Sequence, residues 1–298
     1  MENQEVSFDE LLELCRESTP GLPAIPAKPD ISGFQEQLGR YFEKREKEKS
    51  VLGIDIYRYS RFELPRQRLI PFIFAYLYEK TVNDLREKEG LLFRESLETY
   101  EARFIPTGDG GFQILDTPLH AIAFALIFQF HLQFYNGYVD LPRVREFVGP
   151  LSIRWCVTHD PIYRFRKNHF GPAIINNARV LAKDTLNRFL VDSKVMEWFY
   201  RRVGNIESLA RMDTADVHRS VGIDLKDSGS DILFNQGGDF SAIITQHIGE
   251  LQAKDRSIDI YSVFIQRRIR VFAKGDENTK RPIVVSLGNT NAAGLASR

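Results

Sequence analysis

Apolar residues along this chain recur at two spacings, one typical of helices and one typical of strands. Near the N-terminus, Ser7 begins a short helix with a capping pattern, and Phe34, Leu38, Tyr41 and Phe42 share one face of a second helix. The pattern downstream predicts strands at 51–57, 100–106, 111–115, 151–158, 188–192, 258–265 and 283–287, with helices at 66–88, 118–135, 172–185 and 193–203.

The same pattern suggests how the chain is divided. Prolines at every third position within residues 19–30 predict a stiff polyproline II spacer. The charged run from Glu43 to Lys49 mixes both signs and predicts a solvated helix face. We therefore expect an N-terminal helical extension over 1–49, a main domain over 50–270, and a C-terminal strand and tail over 271–298.

Composition narrows the class of protein. Hydrophobic residues make up 43% of the 298 positions, which is enough for a substantial core. Lys and Arg number 40, as do Asp and Glu, so no net field attracts nucleic acid or an anionic membrane. Cys15 and Cys156 are far apart and are expected to be thiols in a reducing compartment. The most apolar stretch, 119–130, is shorter than the roughly 20 residues that a membrane helix needs. We expect a cytoplasmic protein.

Two aspartates at predicted strand ends suggest the chemistry. Asp55 lies near the end of the apolar strand 51–57. Asp109 lies in a Gly-Asp-Gly-Gly turn after the strand 100–106. Carboxylate oxygens bind hard divalent cations together with substrate phosphates, and two such ions can assist displacement at phosphorus. Taken singly, Asp55 could instead cap a helix and Asp109 could simply form a hairpin turn.

A third motif follows at 171–180, where Gly171 begins a helix that carries Arg179. Ile175, Ala178 and Ala182 share one face of this helix, and Arg179 lies at its flank. Arg179 alone could equally form a structural salt bridge. Lys183 and Asp184, about one turn later, could support a site or lie at the surface. The histidines lack metal-ligand spacing.

The order of these motifs resembles the catalytic domain of class III nucleotidyl cyclases over residues 50–270. The matching strings are Asp-Ile-Tyr-Arg-Tyr-Ser at 55–60, Gly-Asp at 108–109, and the segment 171–180. In detail they are similar to the pyrimidine cyclases of bacterial Pycsar antiphage systems. The resemblance implies an α+β fold related to polymerase palms, with a largely antiparallel sheet flanked by helices and a head-to-tail homodimer.

The resemblance also implies roles for individual residues. Asp55, Ile56 and Asp109 would hold two Mg²⁺ or Mn²⁺ ions, and Arg179 would reach the transition-state phosphate from the other protomer. The family's usual asparagine position holds Ile175, so either Asn176 orients the ribose through a local shift of the helix, which we favour, or the ribose is held differently. The backbone amides of Tyr57, Arg58, Tyr59 and Ser60 would bind the nucleotide phosphates. The side chain of Arg58 would add a positive charge there. The ribose 3′-hydroxyl would attack the α-phosphorus and expel pyrophosphate.

The base-reading positions depart from those of adenylate cyclases. Ile105 and Asn168 stand where those enzymes use lysine and aspartate, so the charged pair that selects adenine is missing. Guanylate cyclases typically use glutamate and cysteine there, and neither occurs here. A site lined by Tyr57, Tyr59 or Arg103 suits a smaller pyrimidine base.

The favoured function is conversion of UTP to cyclic UMP and pyrophosphate. The cyclic UMP would be a second messenger in antiviral defence, and a separate effector would bind it. The alternatives are a cytidylate cyclase acting on CTP and a silent nucleotide-binding pseudo-cyclase. A cyclic-dinucleotide synthase is disfavoured, because Gly110-Gly111-Phe112 lacks the acidic pair expected in that turn. Neither nucleic acid nor membrane is expected as a partner.

Overall fold

A computed structural model describes residues 5–16, 32–88, 90, 92–203, 211–212, 242–252, 257–273, 276–290 and 295. The helices are α1 (Phe8–Cys15), α2 (Ser32–Glu43), α3 (Leu64–Gln67), α4 (Ile70–Lys88), α5 (Leu97–Ala102), α6 (Pro118–Asn136), α7 (Pro142–Val148), α8 (Pro172–Lys183) and α9 (Ser193–Val203). The strands are β1 (Lys47–Ile56), β2 (Phe104–Pro106), β3 (Gly110–Leu115), β4 (Ile153–Phe165), β5 (Asn168–Phe170), β6 (Phe189–Asp192), β7 (Arg211–Met212), β8 (Ala242–Gln252), β9 (Ser257–Ala273) and β10 (Asp276–Leu287). The polyproline prediction for 19–30 lies outside the described residues.

These strands form one mixed sheet in the order β2-β3-β1-β4-β6-β9-β8-β7, with β5 paired to β4 and β10 paired to β9. Every pairing between the named strands is antiparallel except that of β4 with β6. The predicted α+β fold with a largely antiparallel sheet flanked by helices is therefore confirmed.

Strand β1 lies at the centre of this sheet and is covered on both faces. Because side chains alternate along a strand, Leu52, Ile54 and Ile56 point to one face, where they join the main core with residues of α4 and α6. Val51 packs on the opposite face with Ala173 of α8. Residue 55 shares the face of residues 51 and 53, so Asp55 belongs to the α8 side.

Helix α6 is the most deeply buried helix of the main core. The Thr117 side chain caps its first turn by accepting from the His120 amide, and Pro118 follows at the first helical position, as predicted. Nearly all faces of α6 are apolar and buried, because it packs against α4, the sheet and β10. Within the described ranges, no helix is long and apolar enough to cross a membrane.

Helix α8 approaches β1 at Gly53, where no side chain would fit. A Cβ atom at this position would lie 2.1 Å from Asn177 Oδ1 and 2.7 Å from Leu181 Cδ1. The Asn177 side chain cannot easily move away, because its Nδ2 donates to the carbonyls of Val51 (2.8 Å) and Cys156 (3.0 Å). Gly53 therefore sets the close distance between α8 and the strand that carries Asp55.

Substituting Gly53 by alanine is expected to lower the free energy of unfolding by about 2 kcal/mol, because overpacking a tight core contact typically costs about 1–3 kcal/mol. Gly39→Ala in α2 is the matched control, since nothing lies within 4 Å of its would-be Cβ atom. That control should be neutral or slightly stabilising. Urea denaturation followed by circular dichroism measures both, and equal stability of Gly53→Ala and the parent would contradict the tight approach.

The structure corrects several boundaries. The predicted strand 100–106 begins with helix α5, which Ser96 caps, and only Phe104–Pro106 is extended. The charged run Glu43–Lys49 is not one helix face, because α2 ends at Glu43 and β1 begins at Lys47. Pairing of Lys47 and Glu48 with β4 outweighs their helix propensity.

The described N-terminal residues are attached to the sheet. Val6 is buried and forms a parallel bridge with Phe165 at the end of β4. Tyr41 of α2 accepts a hydrogen bond from the Ser7 amide at 2.9 Å, which joins α2 to the start of α1. The division of the chain at residues 49 and 270 stays a prediction.

Candidate active site

Asp55 and Asp109 meet at one end of the β1–β3 pair. Asp55 is the second-last residue of β1 and lies opposite Gly110 of β3 and Arg154 of β4. Asp109 lies in the turn between β2 and β3, and its carbonyl accepts from the Ile56 amide at 2.9 Å. The two aspartates, 54 positions apart in sequence (109 − 55), are therefore held at the same strand end.

The turn that carries Asp109 requires glycine beside it. A Cβ atom on Gly110 would lie 1.9 Å from the Ile54 carbonyl oxygen, so only glycine lets β3 approach β1 so closely. Thr107 closes the turn, because its amide donates to the Gly110 carbonyl at 3.1 Å. The hairpin-turn reading of Asp109 is therefore correct locally, and the turn also holds this half-buried residue at the same strand end as Asp55.

The carboxylate of Asp55 lies in an environment that opposes its charge. Burial raises the pKa of Asp55 most, and the negative charges of Asp109 and Asp184 raise it further. The guanidinium of Arg154 acts in the opposite direction, since its Nε donates to Asp55 Oδ2 at 2.6 Å. A positive charge is thus already paired with the half-buried carboxylate.

Sequence reasoning missed Arg154. Its Nη1 donates to the carbonyls of Leu181 (3.3 Å) and Asp184 at the end of α8, so its guanidinium bridges Asp55 and that helix end. The signal was present in the sequence, because Arg154 interrupts the apolar run of β4, and a cation in a central strand needs a partner.

In the segment after β1, some backbone groups already form hydrogen bonds within the chain. The Tyr57 amide donates to the Ser152 carbonyl at 2.9 Å. This amide is therefore already hydrogen-bonded within the chain, whereas the prediction requires it to bind a phosphate. Arg58 adopts the left-handed conformation (φ 61°), and its exposed guanidinium lies 4.8 Å from the centre of the Tyr57 ring. A 3₁₀ turn follows over Tyr59–Arg61. Phosphate binding by residues 58–60 stays a prediction.

Helix α8 presents two chemically different faces. Asn176 and Asn177 are buried, 3% and 0% exposed, and Asn177 anchors the helix to the sheet. The other face carries Ile175, which is 52% exposed, the exposed Ala178, and the half-buried Arg179. Asn176 contacts a ribose only if its surroundings open, so its assignment stays a prediction, as does that of Arg179.

The three proposed base-reading residues lie in different surroundings. Ile105 packs with Phe112 at the edge of a small apolar cluster. Asn168 is exposed at the start of β5. Arg103 is held by a bidentate pair with Glu95, at 2.6 and 2.9 Å, so its guanidinium is already occupied. A base-reading role for Arg103 would require that this pair opens.

Near these residues, His169 of β5 titrates abnormally. Burial lowers the pKa of His169 to about 4, and the positive charges of Arg164, Arg103 and Lys49 add to the effect. An unfolded histidine titrates near about 6.5, so between these values only the unfolded chain binds the proton. The stability that this contributes is complete above about pH 6.5 and is lost as the pH falls toward 4.

We therefore expect the free energy of unfolding of the parent to fall from pH 7 to pH 5 by about 1 kcal/mol more than that of His169→Gln, with solvent screening reducing the full linkage value. Denaturant titrations at both pH values measure the difference. Equal pH dependence of the two proteins would show that His169 is not held neutral by the fold.

The described residues contain no cluster of three or more histidine, cysteine or acidic side chains suited to a metal ion. The Asp55–Asp109 pair therefore offers two carboxylates at most. Mg²⁺ commonly binds through one or two carboxylates, with substrate phosphates and water completing its coordination. The donor set fits an ion that arrives with a nucleotide.

Comparisons with known proteins return structural likeness alone, since no protein-family model and no curated protein matches the chain. An adenylate/guanylate cyclase/hydrolase from Silicibacter pomeroyi is 18% identical, with a TM-score of 0.38, over 73% of this chain and 96% of its own. The adenylyl cyclase CyaB from P. aeruginosa is 13% identical, with a TM-score of 0.39, over 78% and 97%. The guanylate cyclase domain of RhGC from Catenaria anguillulae, in complex with GTP, is 10% identical, with a TM-score of 0.40, over 73% and 96%. At these values the likeness says nothing about substrate.

Proposed function

We propose that this chain is a nucleotidyl cyclase that converts UTP to 3′,5′-cyclic UMP and pyrophosphate. The observation that carries the proposal is the convergence of Asp55 and Asp109 at one strand end, joined by the hydrogen bond from the Ile56 amide to the Asp109 carbonyl. The sequence resemblance extends this to a second messenger in antiviral defence that a separate effector reads.

The proposed cofactors are two Mg²⁺ or Mn²⁺ ions held by Asp55, Asp109 and the Ile56 carbonyl. Oxygen donors of this kind suit hard divalent cations. The charges around Asp55 also suit a cation. The negative charges of Asp109 and Asp184 raise the pKa of Asp55, and a bound cation would offset this repulsion. When bound, such ions would make the ribose 3′-hydroxyl more acidic and neutralise phosphate charge.

Two of the protein's own cations have different roles in this proposal. Arg154 is bonded to the Asp55 carboxylate and holds it in place. Arg179 would stabilise charge that develops in the transition state, supplied from a second copy of the chain. The exposed α8 face with Ile175 and Ala178 supports this, because an apolar face beside Arg179 is suited to contact with a partner.

The preference for a pyrimidine rests on what the base-reading positions lack. Ile105 packs with apolar neighbours and offers no hydrogen-bonding side chain, and Asn168 carries no charge. A site without the lysine–aspartate pair loses the polar contacts that would select adenine. Uracil and cytosine differ by an acceptor or a donor at one ring position, so one side chain can decide between them.

The deciding experiment is incubation of the purified chain with ATP, GTP, CTP and UTP separately in Mn²⁺, followed by mass-resolved chromatography. Cyclic UMP from UTP is expected. Cyclic CMP would correct the base and keep the pyrimidine class, whereas cyclic AMP or cyclic GMP would overturn the reading of Ile105 and Asn168. Absence of every cyclic product, with nucleotide binding retained, would favour the pseudo-cyclase.

Arg58 offers a clean test of phosphate binding, because glycine tolerates its left-handed backbone. Arg58→Gly removes the cation without adding backbone strain. We expect KM for the triphosphate to rise about tenfold, the usual scale for one lost charge-assisted hydrogen bond. Steady-state kinetics measure the change, and Arg61→Gly, one turn away, is the control. An unchanged KM would remove Arg58 from the phosphate site.

A further inference from the structure

We propose that the buried ion pair of Asp184 and Arg188 positions Arg154, and through it the Asp55 carboxylate, for cation binding and turnover. This inference rests on the proposed function. Asp184 and Arg188 are positioning residues in this inference, because they act through Arg154.

Arg154 is held from two sides. Its Nε donates to Asp55 Oδ2 at 2.6 Å, and its Nη1 donates to the carbonyls of Leu181 and Asp184. These carbonyls end α8, where the helix dipole favours a positive charge. The location of the α8 terminus therefore decides where the Arg154 guanidinium lies.

The Asp184–Arg188 pair fixes that terminus. Arg188 donates to Asp184 Oδ1 from Nε at 3.1 Å and from Nη2 at 2.8 Å, and both side chains are 1% exposed. The Arg188 carbonyl accepts from the amide of Trp155, the residue after Arg154, at 3.0 Å. The helix end, the following loop and β4 are thus tied together around Arg154.

The arrangement is costly as a purely stabilising device. Arg188 Nε, Arg188 Nη2 and the Leu186 amide all donate to Asp184 Oδ1, while Asp184 Oδ2 is buried with no hydrogen-bond partner in the described part of the chain. Buried ion pairs often stabilise no more than apolar residues of the same size, and unsatisfied buried atoms call for an explanation. We explain this buried pair by its effect on the Asp184 carbonyl, which it holds in place and which accepts from Arg154.

The experiment compares two double variants. Asp184→Asn/Arg188→Met removes the pair without leaving one buried charge alone. Asp160→Asn/Lys194→Met is the control: it removes another cation–carboxylate pair (2.6 Å), with a buried aspartate and a half-buried lysine, toward the other end of β4. Mn²⁺ affinity is measured by electron paramagnetic resonance of free Mn²⁺ with nucleotide present, alongside kcat and thermal unfolding.

We expect about a tenfold loss in both Mn²⁺ affinity and kcat for the first variant and none for the control, the scale of effect for residues that orient metal ligands. A folded first variant with parental affinity and rate would overturn the proposal, even if its melting temperature fell. If it does not fold, Arg188→Lys, which keeps a cation beside Asp184 and removes the two-nitrogen contact, gives the same readouts.

The two proposals fail in different ways. If the parent binds Mn²⁺ and yields no cyclic product, the cyclase function is wrong, and the affinity loss still tests positioning. If the parent makes product and the first variant matches it in affinity and rate, only the positioning role is wrong. A parent that binds no Mn²⁺ would overturn both.

Discussion

Asp109→Asn is expected to reduce cyclic-nucleotide formation by at least about a thousandfold while leaving the fold intact. A thousandfold corresponds to about 4 kcal/mol of transition-state stabilisation, within the range of several kcal/mol attributed to metal-assisted catalysis. Asp109 is half-buried in a turn, where asparagine is well tolerated, so stability should change by less than about 1 kcal/mol.

Asp55→Asn should abolish the activity as well, with an additional structural cost. Its carboxylate is half-buried and bonded to Arg154, so the amide would leave that guanidinium without its ionic partner. Losing a hydrogen bond to a charged group of this kind costs about 1.5–3 kcal/mol. Asp109→Asn is therefore the sharper test of the chemistry, and Asp55→Asn tests the same site with a known side effect.

Initial rates in Mn²⁺ and thermal unfolding measure both variants. Asp259→Asn is the matched control, because it removes the same charge from a surface pair with His247 on the distant strands β8 and β9. That control should retain the parental rate. Normal turnover by Asp109→Asn would eliminate the proposed role of the two carboxylates in catalysis.

Much of this arrangement follows from local sequence signals. The boundaries of β3, α6 and α9 agree with prediction to within a residue, because each has a clear period or a capping signal such as Thr117-Pro118. Strands β5, β7 and β8 and helix α7 were not predicted. Helix α5 was misjudged because its six residues are too short to show a period, although Ser96 carries the capping signal.

The site divides in the same way. Asp55 and Asp109 were found because each follows an apolar run and meets a turn. The pairing of Arg154 with Asp55 joins residues 99 positions apart (154 − 55), and it depends on the order of strands in the sheet. The Asp184–Arg188 pair depends on how the loop after α8 folds back, which no local pattern encodes. These two pairings join residues brought together by the order of strands and by a loop, and local sequence patterns do not specify either.

The second large loss of turnover is expected from Arg179→Ala, which tests the role of a second copy of the chain. In the proposed dimer, Asp55 and Asp109 come from one protomer of a site and Arg179 from the other. Arg179→Ala alone should reduce turnover by about a hundredfold to a thousandfold, the scale for losing a donor that stabilises transition-state charge. Arg179 is half-buried on a face that is otherwise exposed, so the fold should tolerate alanine.

Mixing Arg179→Ala with Asp109→Asn protein should then restore activity. A mixed dimer has one site with both defects and one site with neither, and random exchange in a two-fold dimer makes about half of the dimers mixed, so about a quarter of the parental activity should return. Mixing Asp55→Asn with Asp109→Asn is the control, since both residues act in the same protomer and no intact site forms. Rates are measured after denaturation and joint refolding, with dimer exchange verified by mass.

Each outcome bears on where the site lies. Recovery in the first mixture and none in the second requires Arg179 to act across the protomer boundary, because only that assignment creates an intact site. Failure of the first mixture despite verified exchange would place Arg179 with its own protomer's carboxylates or outside the site. Equal recovery in both mixtures would mean that Asp55 and Asp109 serve different sites, which their shared strand end makes physically unreasonable.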